Sequence, residues 1–421
     1  MRASNVRNLS SQQPHAIVIG LESITGLQTA RILARHKVPV IAIAKDPSHY
    51  FCRTKVCEKI LIANTADEEF INVLANLGPQ LDGKAVLFPC SDLSVLITSR
   101  RRAELERWYH VVLPAPQIVE MLMDKVSFYQ YANAAGLPVP RTFIIRTKEE
   151  AEQAAGELTF PCILKPSIRS AAWQANNKAK VHKIADAQSL ISTYERCSMW
   201  ADALMVQEWI EGSDAELYSC NCYFTADSRP LVTFISRKLR QWPPQTGVSC
   251  LGEECRNDVV LQESIRLFQN VGYRGLGYVE MKRDVRTGKY FIIEPNIGRP
   301  TGRSAIAEAG GVDLLYATYC DTVQLPLPAN IHQEYGNAKW IYLRRDIQSA
   351  LHYWRRGDLT LVGWWRSLRG KKRDAVFSWT DLGPFWGDLR RSLNLLMRDG
   401  SSSMMTVADR DVVPSVKPAM T

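Results

Sequence analysis

Short, unbroken apolar runs alternate with helical spacing over the first hundred or so positions of the chain. Ala16-Ile-Val-Ile-Gly20, Val38 to Ala44, Ala85 to Phe88 and Val111 to Leu113 are runs of strand length. Between them, 26–36, 67–77 and 92–107 place apolar residues at helical intervals. A strand covered on both faces reads as a continuous apolar run, so this alternation predicts α/β architecture with a parallel, doubly wound sheet. The first strand–helix loop, Gly20 to Gly26, lacks the GxGxxG spacing. Lys45 stands after the second strand, where a ribose-binding acid belongs. A dinucleotide cofactor is therefore not expected there.

Pro114-Ala-Pro116 reads as a linker. A helix follows from Met121 through Lys125 to Ala135, closed by Gly136 and the prolines of Leu137-Pro-Val-Pro140, a glycine cap followed by residues that cannot continue a helix. Next come a strand at 142–145, a helix from Lys148, the strand Cys162-Ile-Leu-Lys165 and a β-rich block from Leu204 to Glu294. Beyond about Pro328 the pattern becomes helical, basic and rich in tryptophan. The end, from Gly400-Ser-Ser-Ser403 onward, has too few apolar residues to order itself. The expected division is a disordered 1–14, an α/β domain at 15–117, a second domain at 118–328, a helical extension at 329–398 and a disordered 399–421. No repeat of 20–50 residues is visible.

Composition narrows the class. The chain has 421 residues, 46% hydrophobic and 23% charged, enough for two or three globular domains. Its apolar runs fall far short of the ~20 residues a membrane helix needs, and Met1 to Gln13 lacks the apolar core of a secretion signal. The ten cysteines are scattered, with no CxxC pair and no zinc spacing, which fits reduced thiols and a cytoplasmic setting. A net charge of +9 admits nucleic acid, an anionic membrane surface or an acidic small substrate. No helix-turn-helix, RNA-recognition or zinc-finger pattern supports the first. A nucleotide with an acidic substrate would explain the cluster Arg237-Lys-Leu-Arg240. Arg100-Arg-Arg102 and the cations around Arg355 and Lys371-Lys-Arg373 read as solvated faces.

One hairpin carries candidate chemistry. Gly277-Tyr-Val-Glu280-Met-Lys-Arg-Asp284 and Tyr290-Phe-Ile-Ile-Glu294-Pro-Asn296 flank a turn at Arg286-Thr-Gly288. A turn centred on Thr287 sets Glu280 opposite Glu294, where like charges repel unless a cation lies between them. Asn296 adds a neutral oxygen, and this donor set suits Mg²⁺. Lys165 emerges at the end of a buried strand, Lys125 sits near a helix start behind Asp124, and Met205-Val-Gln-Glu-Trp-Ile-Glu-Gly212 is a strand entering a glycine turn. The last can offer backbone groups to an adenine edge. Each lysine and glycine turn has a plain alternative as solvated surface.

In this order, the motifs resemble the carboxylate–amine ligase branch of the ATP-grasp superfamily. The resemblance runs from about Ala16 to Leu327. It rests on Met123-Asp-Lys125 with Gly136-Leu-Pro-Val-Pro140, Ile163-Leu-Lys165-Pro166, Val206 to Gly212, Ser236 to Pro244, Gly277-Tyr-Val-Glu280 and Ile293-Glu-Pro-Asn296. It implies a pre-ATP-grasp α/β sheet, then a two-subdomain α+β ATP-grasp fold with a helical C-terminal extension. It also implies ATP and Mg²⁺, in two ions, with Mn²⁺ as an alternative. Lys125 and Lys165 look like phosphate lysines, and Gln207, Glu208, Trp209 and Ile210 like the adenine hinge. Asp214 or Glu216 would take the ribose, and Glu280, Glu294 and Asn296 the metal.

The expected reaction turns a small carboxylate into an acyl-phosphate that a small amine captures, releasing ADP and phosphate. Two departures stand out. The stretch Ser167 to Lys178 has no glycine, leaving Arg169, Lys178 or Lys180 to supply phosphate charge. The arginine after Asn296 comes one residue late, so Arg299 and Arg303 both remain candidates for the transferring phosphate. Arg237 is a candidate clamp for a substrate carboxylate, or simply a surface cation. The resemblance allows a homodimer. Two rival readings are a non-catalytic nucleotide binder, and a membrane- or polymer-associated module acting through the C-terminal region. The plain reading of Trp340, Trp354, Trp364, Trp365, Trp379 and Trp386 is that they pack that region's helices onto the body.

Overall fold

The computed structural model describes residues 13–167, 170–177, 181–244 and 247–398. Of the segments expected to be disordered at 1–14 and 399–421, residues 1–12 and 399–421 lie outside the described residues, as do the phosphate-loop candidates Arg169, Lys178 and Lys180.

The first layer is a parallel sheet of β1 (Ala16–Ile19), β2 (Val40–Ala44), β3 (Lys59–Ile62), β4 (Ala85–Pro89) and β5 (Tyr109–His110), in the order β3-β2-β1-β4-β5. Every residue of β1, β2 and β4 is buried, as the unbroken apolar runs require. The helix Ile24–Arg35 is capped by Ser23, whose side chain accepts from the Gly26 amide. A Cβ on Gly26 would lie 2.2 Å from the Gly20 carbonyl oxygen, so this glycine serves close helix–strand packing.

A four-stranded antiparallel sheet follows, β6 (Thr142–Ile145), β7 (Cys162–Pro166), β8 (His182–Ile184) and β9 (Leu204–Glu208), ordered β6-β9-β7-β8. The helices Lys148–Glu157 and Ala187–Cys197 cover one face, burying Ala151, Leu164, Leu190 and Val206. The predicted helix at 121–135 is two helices. Pro116–Met123 starts on Pro116, and Lys125–Ala134 starts after Asp124, which caps it by accepting from the Ser127 amide.

The largest sheet contains β10 (Leu217–Phe224), β11 (Pro230–Trp242), β12 (Val248–Glu254), β13 (Gly275–Arg283) and β14 (Tyr290–Ile297). Two short strands from the C-terminal region complete it, β15 (Lys339–Ile341) and β16 (Lys372–Asp374). Its order is β14-β13-β10-β11-β12-β15-β16. The C-terminal region is thus helical with two added strands, and it returns to the first layer. Arg31 of the first helix bonds to Asp381 at 2.8 Å, and Gln28 donates to the Ala375 carbonyl at 2.6 Å. Asp381 also accepts from Thr54 and from the Lys55 amide. Breaking a buried pair strands the remaining charge, so Asp381→Ala should cost about 3–5 kcal/mol. Equilibrium urea unfolding would read this as a lower midpoint.

The tryptophan expectation needs correction. Trp340 is fully buried and Trp364 donates to Asp346, but Trp354, Trp365, Trp379 and Trp386 are exposed. The cause lies in the helix Leu343–Arg355, which turns Asp346, Ser349 and Ala350 inward and not its apolar stripe. Asp346 there meets Arg240 through two bonds of 2.8 and 3.0 Å.

No described helix is long and apolar enough to cross a membrane.

Candidate active site

The acidic hairpin forms by a route the sequence does not announce. From the turn outward, Arg283 pairs with Tyr290, Lys282 with Phe291 and Met281 with Ile292. That register would set Glu280 opposite Ile293 and turn the two glutamates to opposite faces. A β-bulge at Ile293 adds one residue, and beyond it Glu280 pairs with Glu294 and Tyr278 with Asn296. The bulge is held on both sides: the Ile292 amide donates to the Pro138 carbonyl at 2.6 Å, and Tyr129 donates to the Ile293 carbonyl at 2.7 Å. The prolines after Gly136 and the helix starting at Lys125 thereby fix the hairpin's register.

Lys125, Lys165, Glu294, Asn296 and Arg299 line one cavity of about 200 Å³, with Asp92, Phe128 and Tyr129. Lys125 is exposed at the first position of its helix, and Lys165 is partly buried on β7. Lys165 donates to Gln207 Oε1 at 3.3 Å. Burial, then the nearby Lys125 charge, pushes the Lys165 ammonium down to about 8 against the pull of Glu294. Among the described residues no carboxylate forms an ion pair with it, Glu294 acting only at longer range. Arg299 donates to Asp92, to Tyr278 at 2.8 Å and to Asn296 Oδ1 at 2.7 Å. Burial opposes its charge, yet Tyr278 and Asp92 raise the guanidinium above its ordinary value.

Behind the cavity, Lys238 reaches both oxygens of Glu280 at 3.3 Å, and Arg303 comes within 4.0 Å. Burial would raise the Glu280 carboxyl, but the Lys238 and Arg303 charges, with Arg299, hold it below its usual range. Lys238 thereby offsets the like-charge pairing across the hairpin. Arg303 is fully buried and donates to Ser219 Oγ.

For a metal, the donor set is two carboxylates and an amide oxygen, all hard oxygens. Glu294 is exposed on the cavity wall, whereas Asn296 Oδ1 is taken by Arg299 and its Nδ2 is buried without an acceptor. Among the described residues no three His, Cys, Asp or Glu side chains gather as a metal cluster. All three are oxygen donors of the kind a hard divalent cation takes, but to hold one together Glu280 would have to leave Lys238 and Asn296 would have to leave Arg299, while Glu294 is open to the cavity.

Other expected site residues lie elsewhere. Arg237 faces away: Glu280 pairs with Ser219 and Ser219 with Ser236, so Arg237, one residue on, is on the opposite face. There it bonds Glu253 at 2.6 Å, and Lys238 takes the inward position. Asp214 is buried, with its oxygens accepting from Gln241 at 2.8 Å and Tyr353 at 2.6 Å. It lines a different cavity, of about 410 Å³. Glu216 lies 3.6 Å from Arg283 and keeps a buried oxygen without a hydrogen bond. Glu208 donates its amide to Arg141, and Trp209 is flanked by the Lys183 and Lys282 ammonium groups at 4.5 and 4.7 Å from its ring. Ile210 is buried.

Sequence reasoning passed over Asp92, Tyr278 and Lys238. Asp92 had a signal, an acid just past the carboxyl end of a parallel strand, where such sheets bind ligands.

No family model matches the chain. It is similar to the D-aspartate ligase of Enterococcus faecium, 25% identical over 53% of this chain and 54% of that one. It is also similar to the D-alanine–D-alanine ligase of Stutzerimonas stutzeri, 23% identical over 46% of this chain and 62% of that one. The matches thus span little more than half the length of these relatives. Among solved structures, N5-carboxyaminoimidazole synthetase from Staphylococcus aureus superposes with a TM-score of 0.62, 15% identity, and coverage of 88% of this chain and 93% of that one. The biotin carboxylase domain of Hydrogenobacter thermophilus 2-oxoglutarate carboxylase, solved with MgADP, ADP and bicarbonate, gives 0.60 at 13% identity, covering 77% and 73%. At these identities the structural likeness shows the fold alone.

Proposed function

We propose that this chain, whose fold is that of the ATP-grasp carboxylate–amine ligases, uses ATP to activate a small carboxylate and join it to an amine. The observation that carries the reading is the meeting of Lys125, Lys165, Glu294, Asn296 and Arg299 around one cavity. Its ~200 Å³ lies below the roughly 300–1,000 Å³ usual for whole ligands, a size that suits the phosphate end of a nucleotide. Lys125 and Lys165 would grip phosphate oxygens there, and an arriving anion would recharge Lys165. Gln207 to Ile210 would present backbone groups to adenine. With Asp214 consumed by Gln241 and Tyr353, Glu216 is the acid left for ribose.

Glu280, Glu294 and Asn296 would hold Mg²⁺, which when bound neutralises phosphate charge and polarises the γ-phosphoryl group. Arg299, aimed into the cavity, would stabilise charge on the transferring phosphoryl as the substrate carboxylate attacks. Arg303 holds Glu280 from behind. The acyl-phosphate then passes its acyl group to the amine, forming an amide with loss of phosphate. The similarity to ligases of D-aspartate and D-alanine supports D-amino acids as the first carboxylates to try.

The test is ADP and phosphate release with ATP and Mg²⁺ across pairs of carboxylates and amines. The expected result is one-to-one release that depends on both partners. Release with no dependence on any carboxylate would overturn the reading.

A further inference from the structure

The proposed reaction makes no use of residues 343–393, and this segment is built unlike the rest of the surface. Eleven of the eighteen exposed large apolar side chains among the described residues lie in it. They form stripes. On the helix Leu343–Arg355, Leu343, Ile347, Leu351 and Trp354 repeat at helical spacing on one face, and that face is exposed while the polar Asp346 side is buried. The helix Leu361–Ser367 buries no residue and exposes Leu361 and Trp365, the latter 63% accessible. Gly383–Arg398 exposes Trp386, Leu389 and Leu393. Amphipathic helices in a finished monomer normally turn these stripes inward.

Charge is distributed the same way. The segment has eleven arginines and lysines against five aspartates, so it holds +6 of the chain's +9. The aspartates are spent internally: Asp346 on Arg240, Asp381 on Arg31, Asp388 on Arg344, Asp374 on backbone amides, Asp358 on its neighbour Arg356. Arg366, Arg369, Lys372 and Arg373 are exposed and carry no ion pair among the described residues. The two patterns meet in an open groove of about 880 Å³ against the helix Ile24–Arg35. Leu343, Trp365 and Trp379 line it together with Arg35, Arg369 and Lys372. Trp379 is 82% accessible and touches Phe377, which contacts Phe385 and through it Trp386.

We propose that this face docks the protein on an anionic lipid bilayer. Tryptophan and leucine stripes bordered by unpaired cations are the chemistry of the headgroup–acyl boundary, where rings and alkyl chains enter and basic groups meet anionic headgroups. A second copy is disfavoured because a symmetric pairing would oppose two strongly positive faces. The leucine and isoleucine stripes have no role against a nucleic-acid backbone. Contact would be peripheral, since no described helix is long and apolar enough to span.

The experiment is sedimentation of the full chain with phosphatidylcholine vesicles, with and without phosphatidylglycerol. Binding is expected only with phosphatidylglycerol, weakening as salt rises, with a blue shift of tryptophan fluorescence in the unaltered protein. Arg369→Glu/Lys372→Glu/Arg373→Glu should weaken partitioning about 100-fold or more, and Trp365→Ala/Trp379→Ala should weaken partitioning and reduce the blue shift, the remainder coming from Trp354 and Trp386. Both variants should keep wild-type unfolding midpoints and ATP titrations, so failure here is separable from failure of the ligase reading. No binding to the anionic vesicles at low salt would overturn the proposal, as would variants that bind like the parent. Vesicle-free dimerisation lost in the tryptophan variant would overturn it too, as would equally tight binding to duplex or single-stranded nucleic acid.

Discussion

Glu294→Gln abolishes measurable ADP release while leaving the fold intact: that is the result expected if the hairpin acids hold the ion. The side chain is exposed on the cavity wall, so its stability cost should stay within the ~0.5 kcal/mol typical of surface changes. Turnover should fall by roughly 10²–10³-fold or more, because charge stabilisation at a transferring group is the largest single contribution such a site makes. The paired measurements are a coupled ADP assay and a thermal unfolding curve. Normal turnover in the variant would sink the metal assignment. Removing the Glu294 charge also takes away an attraction that raises the Lys165 ammonium, so that group should fall further below about 8.

Lys165→Met separates binding from stability in opposite directions. Nucleotide affinity should drop by about 10²–10³-fold, since a charged group hydrogen-bonding phosphate in a partly buried site contributes several kcal/mol. The nucleotide-free protein should become more stable, because Lys165 carries an uncompensated charge out of water. Its pKa near 8 lies below the unfolded value of 10.5. The folded state therefore binds fewer protons between those values, and stability rises as pH climbs through that window. At neutral pH the cost of holding the charge is on the order of 2–3 kcal/mol. Urea unfolding between pH 7 and 10.5 should show this rise in the parent and lose it in Lys165→Met. An unchanged ATP titration in the variant would count against the phosphate role.

The parallel layer was legible because β1, β2 and β4 are buried on both faces, and only continuous apolar runs satisfy that burial. The two strands β15 and β16 were not. They are three residues each, Lys-Trp-Ile and Lys-Arg-Asp, too short for any period, and they exist because an edge of the large sheet accepts them. Among the cavity-lining residues, Lys125 and Lys165 stood out in the sequence at a helix start and near a strand end, and Glu294 and Asn296 through the alternation of the hairpin. Choosing Lys238 over Arg237 was out of reach. The two are adjacent, and only the pairing of Glu280, Ser219 and Ser236 tells which faces the acids. Arg299 and Arg303 lie beyond the strand, in a stretch without period, and only the fold sends one into the cavity and the other behind Glu280. The tryptophans misled for another reason: composition cannot say which side of a helix is turned inward when a buried aspartate has already claimed the interior.

The extra residue at Ile293 has a consequence for how this chain tolerates change in length. The acids lie beyond the bulge, and the Pro138 and Tyr129 bonds anchor their register there. Insertions or deletions at the hairpin tip, 285–289, would then leave Glu280 and Glu294 facing each other. A deletion of Ile293 alone would leave them facing as well, because Glu294 would take the regular place opposite Glu280. It would restore regular pairing and keep every acid in the chain, but it would remove the carbonyl that accepts from Tyr129. Homologous chains should accordingly vary freely in the length of that tip, while the count of residues between the bulge and Asn296 stays fixed.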